Sequence, residues 1–98
     1  RRLNAARRDH LARELSRLLP SEVSFRVPGG GISLWVTLHG VDPDRLVEAA
    51  AARRLFLRAG RYFSFEGLAS PHLRLGFAHL DESELTQVVE QLAASWPR

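Results

Sequence analysis

A chain of 98 residues supports one small domain, so residues 1–98 are read as a single unit. Hydrophobic residues make up 45%, which favours a packed core over disorder, and no apolar run approaches the roughly 20 residues of a membrane-spanning helix. Net charge is +3, and all 14 basic side chains are arginine, so chemistry that needs a lysine amine, a Schiff base included, is excluded from this chain.

The first predicted element is a helix over 1–19. Leu3, Ala6, His10, Leu11, Leu15 and Leu18 approximate its apolar stripe, and Arg1, Arg2, Arg7, Arg8, Arg13 and Arg17 mostly cover the solvated face. Pro20 and Ser21 end it. Val23, Phe25 and Val27 alternate with Ser24 and Arg26, which predicts a strand over 23–27. Pro28-Gly29-Gly30-Gly31 breaks that strand and reads as a hairpin connection. The glycines could bring main-chain amides near a ligand, but no lysine follows and no helix begins there, so neither glycine-rich phosphate fingerprint is matched.

Residues 32–38 alternate most clearly. Ile32, Leu34, Val36 and Leu38 form the expected core face, and Ser33, Trp35 and Thr37 form the other. A tryptophan on a face that should be wet suggests that something covers it. Asp42, Pro43 and Asp44 open a second helix as N-cap, first helical residue and favourable first-turn charge, and Arg53 and Arg54 close it. Leu55 to Leu57 reads as a short apolar strand. A loop begins at Ala59-Gly60-Arg61, with Tyr62, Phe63 and Phe65 as aromatic anchors, and the stretch from Glu66-Gly67 to Pro71 is irregular.

The strand over 72–78 is the most informative. Leu73, Leu75 and Phe77 face the core, and His72, Arg74, Gly76 and Ala78 face away. Arg74 therefore has small neighbours and open space before it, and its guanidinium fork suits a planar anion such as a carboxylate. If the strands over 32–38 and 72–78 pair, Trp35 and Arg74 share a face. Asp81 and Glu84 then have capping-box spacing, Leu80 and Leu85 staple spacing, and a final helix buries Leu85, Val88, Val89, Leu92 and Trp96 before Pro97.

The order is α-β-β-α-β-β-α. The fold class expected is α+β, a small antiparallel sheet of three main strands and a short edge strand with helices packed on one face. His10, His39, His72 and His79 lie in separate elements or junctions without metal-ligand spacing, so no metal site is assigned. Ser70 and His72 are read as loop neighbours rather than a catalytic pair, and no residue is assigned a catalytic role. Cysteine is absent, which excludes disulfides and makes a cytoplasmic setting the default, and no signal-peptide pattern opens the chain. Methionine is absent too, from which a start inside a longer protein is expected.

The segments P-G-G-G-I-S-L-W-V-T-L, V-D-P-D-R-L-V-E-A-A-A, H-L-R-L-G-F-A and D-E-S-E-L, in that order, resemble the C-terminal small domain of fold-type-I pyridoxal-phosphate-dependent aminotransferases, class I/II. The resemblance covers nearly the whole chain. It implies that Arg74 binds the α-carboxylate of an amino-acid or keto-acid substrate. It also implies that Gly30, Gly31 and Trp35 lie near the active site or the interface with a large domain. The cofactor, its lysine and its phosphate site would belong to that large domain, absent here, so the isolated domain is expected to bind no cofactor and the parent to be a homodimer. One departure stands out: Arg54 replaces a glycine of the family pattern and Ala59 a proline, which puts any contact from Arg61 or Tyr62 in doubt.

The same small domain occurs in MocR-type regulators of the GntR class, and the G-R-Y-F-S-F-E-G stretch suits them. There the site would sense a ligand, and DNA would be a partner through another domain. A more remote alternative is a basic nucleic-acid-binding module, with Trp35 and Arg74 gripping a single strand. Its support is thin, because the arginines are scattered and 11 acidic residues are interleaved with them.

Overall fold

The alternating runs become the central strands of one sheet in a computed structural model, which describes residues 2–63 and 70–97. In chain order the elements are α1 (Arg2–Leu18), β1 (Val23–Phe25), β2 (Ser33–Leu38), α2 (Pro43–Ala52), β3 (Arg58–Ala59), a 3₁₀ turn (Gly60–Phe63), β4 (His72–Gly76) and α3 (Glu82–Ser95). The strands are ordered β1-β2-β4-β3, and every neighbouring pair is antiparallel. The expected α+β order is thus the observed one.

Parity decides which face is buried. Leu34, Val36, Leu38, Leu73 and Leu75, with Phe77 just past β4, turn inward and meet Leu11, Leu15 and Leu19. Leu46 of α2 and Leu85, Val89 and Leu92 of α3 close the same core, so all three helices lie on one side of the sheet. Full burial of each such leucine contributes roughly 1.5–3 kcal/mol. Asp42 caps α2 by accepting from the Asp44 amide, and Asp81 and Glu84 form a reciprocal capping box on α3, at 2.8 and 3.0 Å.

Polar side chains bolt α1 to α3. The Thr86 hydroxyl donates to Glu14 Oε1 at 2.7 Å. Its one proton being committed there, it accepts from His10 Nε2–H, also at 2.7 Å. His10 Nδ1 faces Glu82 at 3.3 Å, and Arg17 holds Glu14 through two hydrogen bonds. The Arg17 bonds, then the Thr86 bond, hold the Glu14 carboxyl down at about 2 against its usual 4.5.

The departure at Arg54 has a geometric counterpart. Arg53 is the C-cap of α2, and Arg54 follows at φ 64°, in the left-handed region that glycine occupies without penalty. Leu55 N–H reaches Ala50 O at 2.9 Å and Arg54 N–H reaches Ala51 O at 3.0 Å, the two bonds of a Schellman ending. An arginine therefore carries strain where glycine would not. Arg54→Gly is expected to raise stability by about 0.5–1 kcal/mol, the left-handed penalty of about 1–2 kcal/mol less the greater flexibility of unfolded glycine. A lower urea-unfolding midpoint for the variant would remove the strain argument.

Several expectations are corrected. The edge strand is Arg58–Ala59, not Leu55 to Leu57, because the Schellman turn spends Leu55 on helix termination and half-buries it against the core. The expected loop at Gly60 is a 3₁₀ turn. Ile32 is 50% exposed instead of in the core, since the strand begins only at Ser33, after Gly31 at φ 88°. Leu3 is 61% exposed despite its place on the apolar stripe, while Leu19, beyond that stripe, is fully buried. Arg7 and Arg8 are not freely solvated: Arg7 donates to the Ala78 carbonyl and Arg8 to that of Pro28. Phe65 and the stretch 66–69 lie outside the described residues.

Candidate functional site

The outward face of the sheet is built row by row by strand register. Trp35 lies opposite Arg74, and Arg74 opposite Arg58, so one row crosses β2, β4 and β3. Ser33 pairs with Gly76 on one side of that row, and Thr37 with His72 on the other. The shared face expected for Trp35 and Arg74 is therefore the observed one.

Arg74 is held from two directions. Its Nε donates to Ser33 Oγ at 3.1 Å, and its guanidinium carbon lies 4.9 Å from the centre of the Phe63 ring. This leaves the two terminal nitrogens as an end-on fork. Among the described residues no carboxylate pairs with it. A side chain added at Gly76 would meet only Ile32 O, at 3.8 Å, so the space beside Arg74 is open. That space is a groove of about 400 Å³, with Arg58, Ile32, Phe56, Leu57, Phe63 and Leu75 among its walls. Trp35 stands at 47% exposure, edge-on to Phe63 at 5.5 Å and to His72 at 6.3 Å between ring centres.

Gly60 fixes the turn that supplies Phe63. A Cβ there would lie 2.9 Å from His72 Cβ and 3.1 Å from His72 O, so only glycine lets the turn approach β4 this closely. Arg61 is spent on structure: its Nε reaches both Asp44 oxygens, at 3.1 and 3.0 Å, and its guanidinium stacks 4.3 Å from the Tyr62 ring centre. Ser70 Oγ and His72 Nδ1 come within 2.6 Å, a contact the sequence reading passed over as loop. Among the described residues no carboxylate is hydrogen-bonded to that ring, so the pair lacks the third member of a catalytic triad.

Gly30 and Gly31 are exposed in the β1–β2 connection. They line a separate groove of about 300 Å³ with Asn4, Arg8 and Phe77, rather than the groove of Arg74. Two site residues were missed from sequence, Phe63 as the support of Arg74 and Arg58 as its neighbour. Once β3 is shifted to 58–59, parity alone puts Arg58 on the outward face. Among the described residues no cluster of His, Cys, Asp or Glu is placed to hold a metal ion, and no helix is long and apolar enough to cross a membrane.

No protein-family model matches the chain. Aromatic-amino-acid aminotransferase 1 of Thermococcus litoralis is 28% identical over 88 residues, 89% of this chain and 21% of that protein. Among solved structures, the α-aminoadipate aminotransferase LysN of Thermus thermophilus, complexed with N-(5'-phosphopyridoxyl)-L-leucine, superposes with a TM-score of 0.87 at 27% identity. It is matched by 97% of this chain over 25% of its own. Kynurenine aminotransferase of Pyrococcus horikoshii gives 0.86 at 28% identity, over 97% of this chain and 24% of that one. The chain thus spans about a fifth of the curated relative and about a quarter of the solved ones. In sequence and in fold it is similar to the C-terminal small domain of fold-type-I, pyridoxal-phosphate-dependent aminotransferases.

Proposed function

We propose that these 98 residues are the small domain of a longer pyridoxal-phosphate-dependent aminotransferase, and that Arg74 anchors the α-carboxylate of its amino-acid or keto-acid substrate. One observation carries the reading: a guanidinium braced by Ser33 and Phe63 opens on a groove with no carboxylate partner among the described residues. The exposed faces of Trp35, Tyr62 and Phe63 suit a surface that a large domain covers.

The chain has no lysine, so its residues do not fit covalent attachment of the cofactor, which falls to the large domain. When bound there, pyridoxal phosphate supplies the electron sink for chemistry at the substrate α-carbon. The role of this chain is orientation. Ser33 fixes the Arg74 fork, the fork fixes the carboxylate, and Trp35 and Phe63 exclude water from the ion pair, which strengthens it.

The full-length protein is expected to show a visible cofactor band that shifts when an amino acid is added, with turnover to the keto acid. A shift without turnover would favour the second reading, a ligand-sensing domain of a MocR/GntR-type regulator using the same arginine. A protein with no band after incubation with pyridoxal phosphate would leave the fold standing and overturn the function.

A further inference from the structure

His10 stands between α1 and α3 with a partner at each ring nitrogen. Thr86 Oγ1 lies 2.7 Å from Nε2, and Glu82 Oε1 lies 3.3 Å from Nδ1. Proton counting decides what the ring carries. The Glu14 carboxyl, held down at about 2, is an acceptor throughout the neutral range, so the Thr86 proton stays on it. Nε2 must then be the donor to Thr86. A neutral ring has one N–H, so its Nδ1 would turn a bare lone pair on the Glu82 carboxylate. An imidazolium donates at both positions and sets its charge between Glu82 and Glu14, the latter 3.9 Å from Nε2. The cations nearby are turned elsewhere. Arg17 is occupied by Glu14, Arg7 on the preceding turn of α1 donates to the Ala78 carbonyl, and Arg13 on the following turn is exposed.

We infer that His10 is a pH-sensitive clasp between α1 and α3, closed by the imidazolium and slackened when the ring loses its proton. Because the folded state favours the charged ring, the stabilisation is present at low pH and lost as pH rises. Histidine changes charge between about pH 5 and 8, which puts the clasp within the physiological range. Arg7 and Arg8 of the same helix donate to the Ala78 and Pro28 carbonyls, just past β4 and in the β1–β2 connection. The clasp thus governs how firmly α1 holds both segments.

Hydrogen exchange of the α1 and α3 amides in the full-length protein, corrected for intrinsic rates, tests this at about pH 5.5 and about pH 8.5. Wild type is expected to lose about two- to fivefold in protection at the higher pH, the effect of one partly exposed ion pair. His10→Gln keeps a donor for Thr86 and removes the charge, so it should show no such loss. Glu82→Gln keeps the ring and removes one carboxylate, so it should show a smaller loss than wild type. His39 and His72, paired with Ser24 and Ser70, remain in both variants. A loss that persists in His10→Gln belongs to such groups and overturns the clasp. Wild-type protection that does not change with pH overturns it as well, and so does an undiminished loss in Glu82→Gln.

Discussion

Arg74→Ala in the full-length protein is expected to lower kcat/KM for amino acids by about 10²–10⁴-fold and to leave the cofactor band intact. The figure follows from two end-on, charge-assisted hydrogen bonds at roughly 1.5–3 kcal/mol each. The site gives no substitute, since Ser33 and Phe63 brace the guanidinium but neither carries a charge. Most of the loss should appear in KM, because the carboxylate is gripped alike before and during reaction. Arg74→Lys keeps the charge and loses the fork, so it should recover only part of the affinity. Steady-state kinetics and the absorption spectrum together decide the matter. Unchanged kcat/KM would remove Arg74 from the site, and loss of the band would make its role structural.

The largest effect on stability is expected from Phe77→Ala, at about 3–5 kcal/mol. Phe77 is 1% exposed and heads the fully buried side chains by volume. It lies one residue beyond β4, where its amide donates to Ile32 O at 2.9 Å, and the backbone bond holds the ring in place over the core. Truncation leaves a cavity that this pinned segment cannot collapse to fill. Against a typical domain stability of about 5–15 kcal/mol, the loss is large. Urea unfolding with an unchanged slope and a lowered midpoint would register it. A loss below about 1 kcal/mol would mean that the segment closes over the void.

Legibility in the sequence followed the strength of the local signal. Strict alternation in 33–38 and 72–76 made both central strands readable, with Trp35 and Arg74 on one face, because parity alone sets the direction of each side chain. The caps at Asp42 and Asp81 were readable because a few adjacent residues carry the whole interaction. The edge strand was not. Two residues are too few for a period, and Leu55 and Leu57 are apolar for a different reason, their packing against the core after the turn at Arg54, while Phe56 between them is exposed. That shift concealed Arg58, whose position depends on pairing with β4 rather than on its neighbours in sequence. Phe63 and the Ser70–His72 contact were hidden likewise, since the first depends on the approach at Gly60 and the second on the fold of a loop.

The parity of β4 also makes Arg74 a guardian of strand alignment. A one-residue slip of β4 would turn Leu73 and Leu75 to the surface and drive His72 and Arg74 into the core. A guanidinium there, away from any partner, costs far more than the slip could return, so the shifted sheet is forbidden by the residue that holds the ligand. Replacing Arg74 with leucine would make the run Leu-Leu-Leu, greasy on both faces, and would loosen the fold's choice of alignment along with its grip on the anion. The ligand anchor and the alignment lock are one side chain, and a charged substitute such as lysine can keep the second duty while surrendering much of the first.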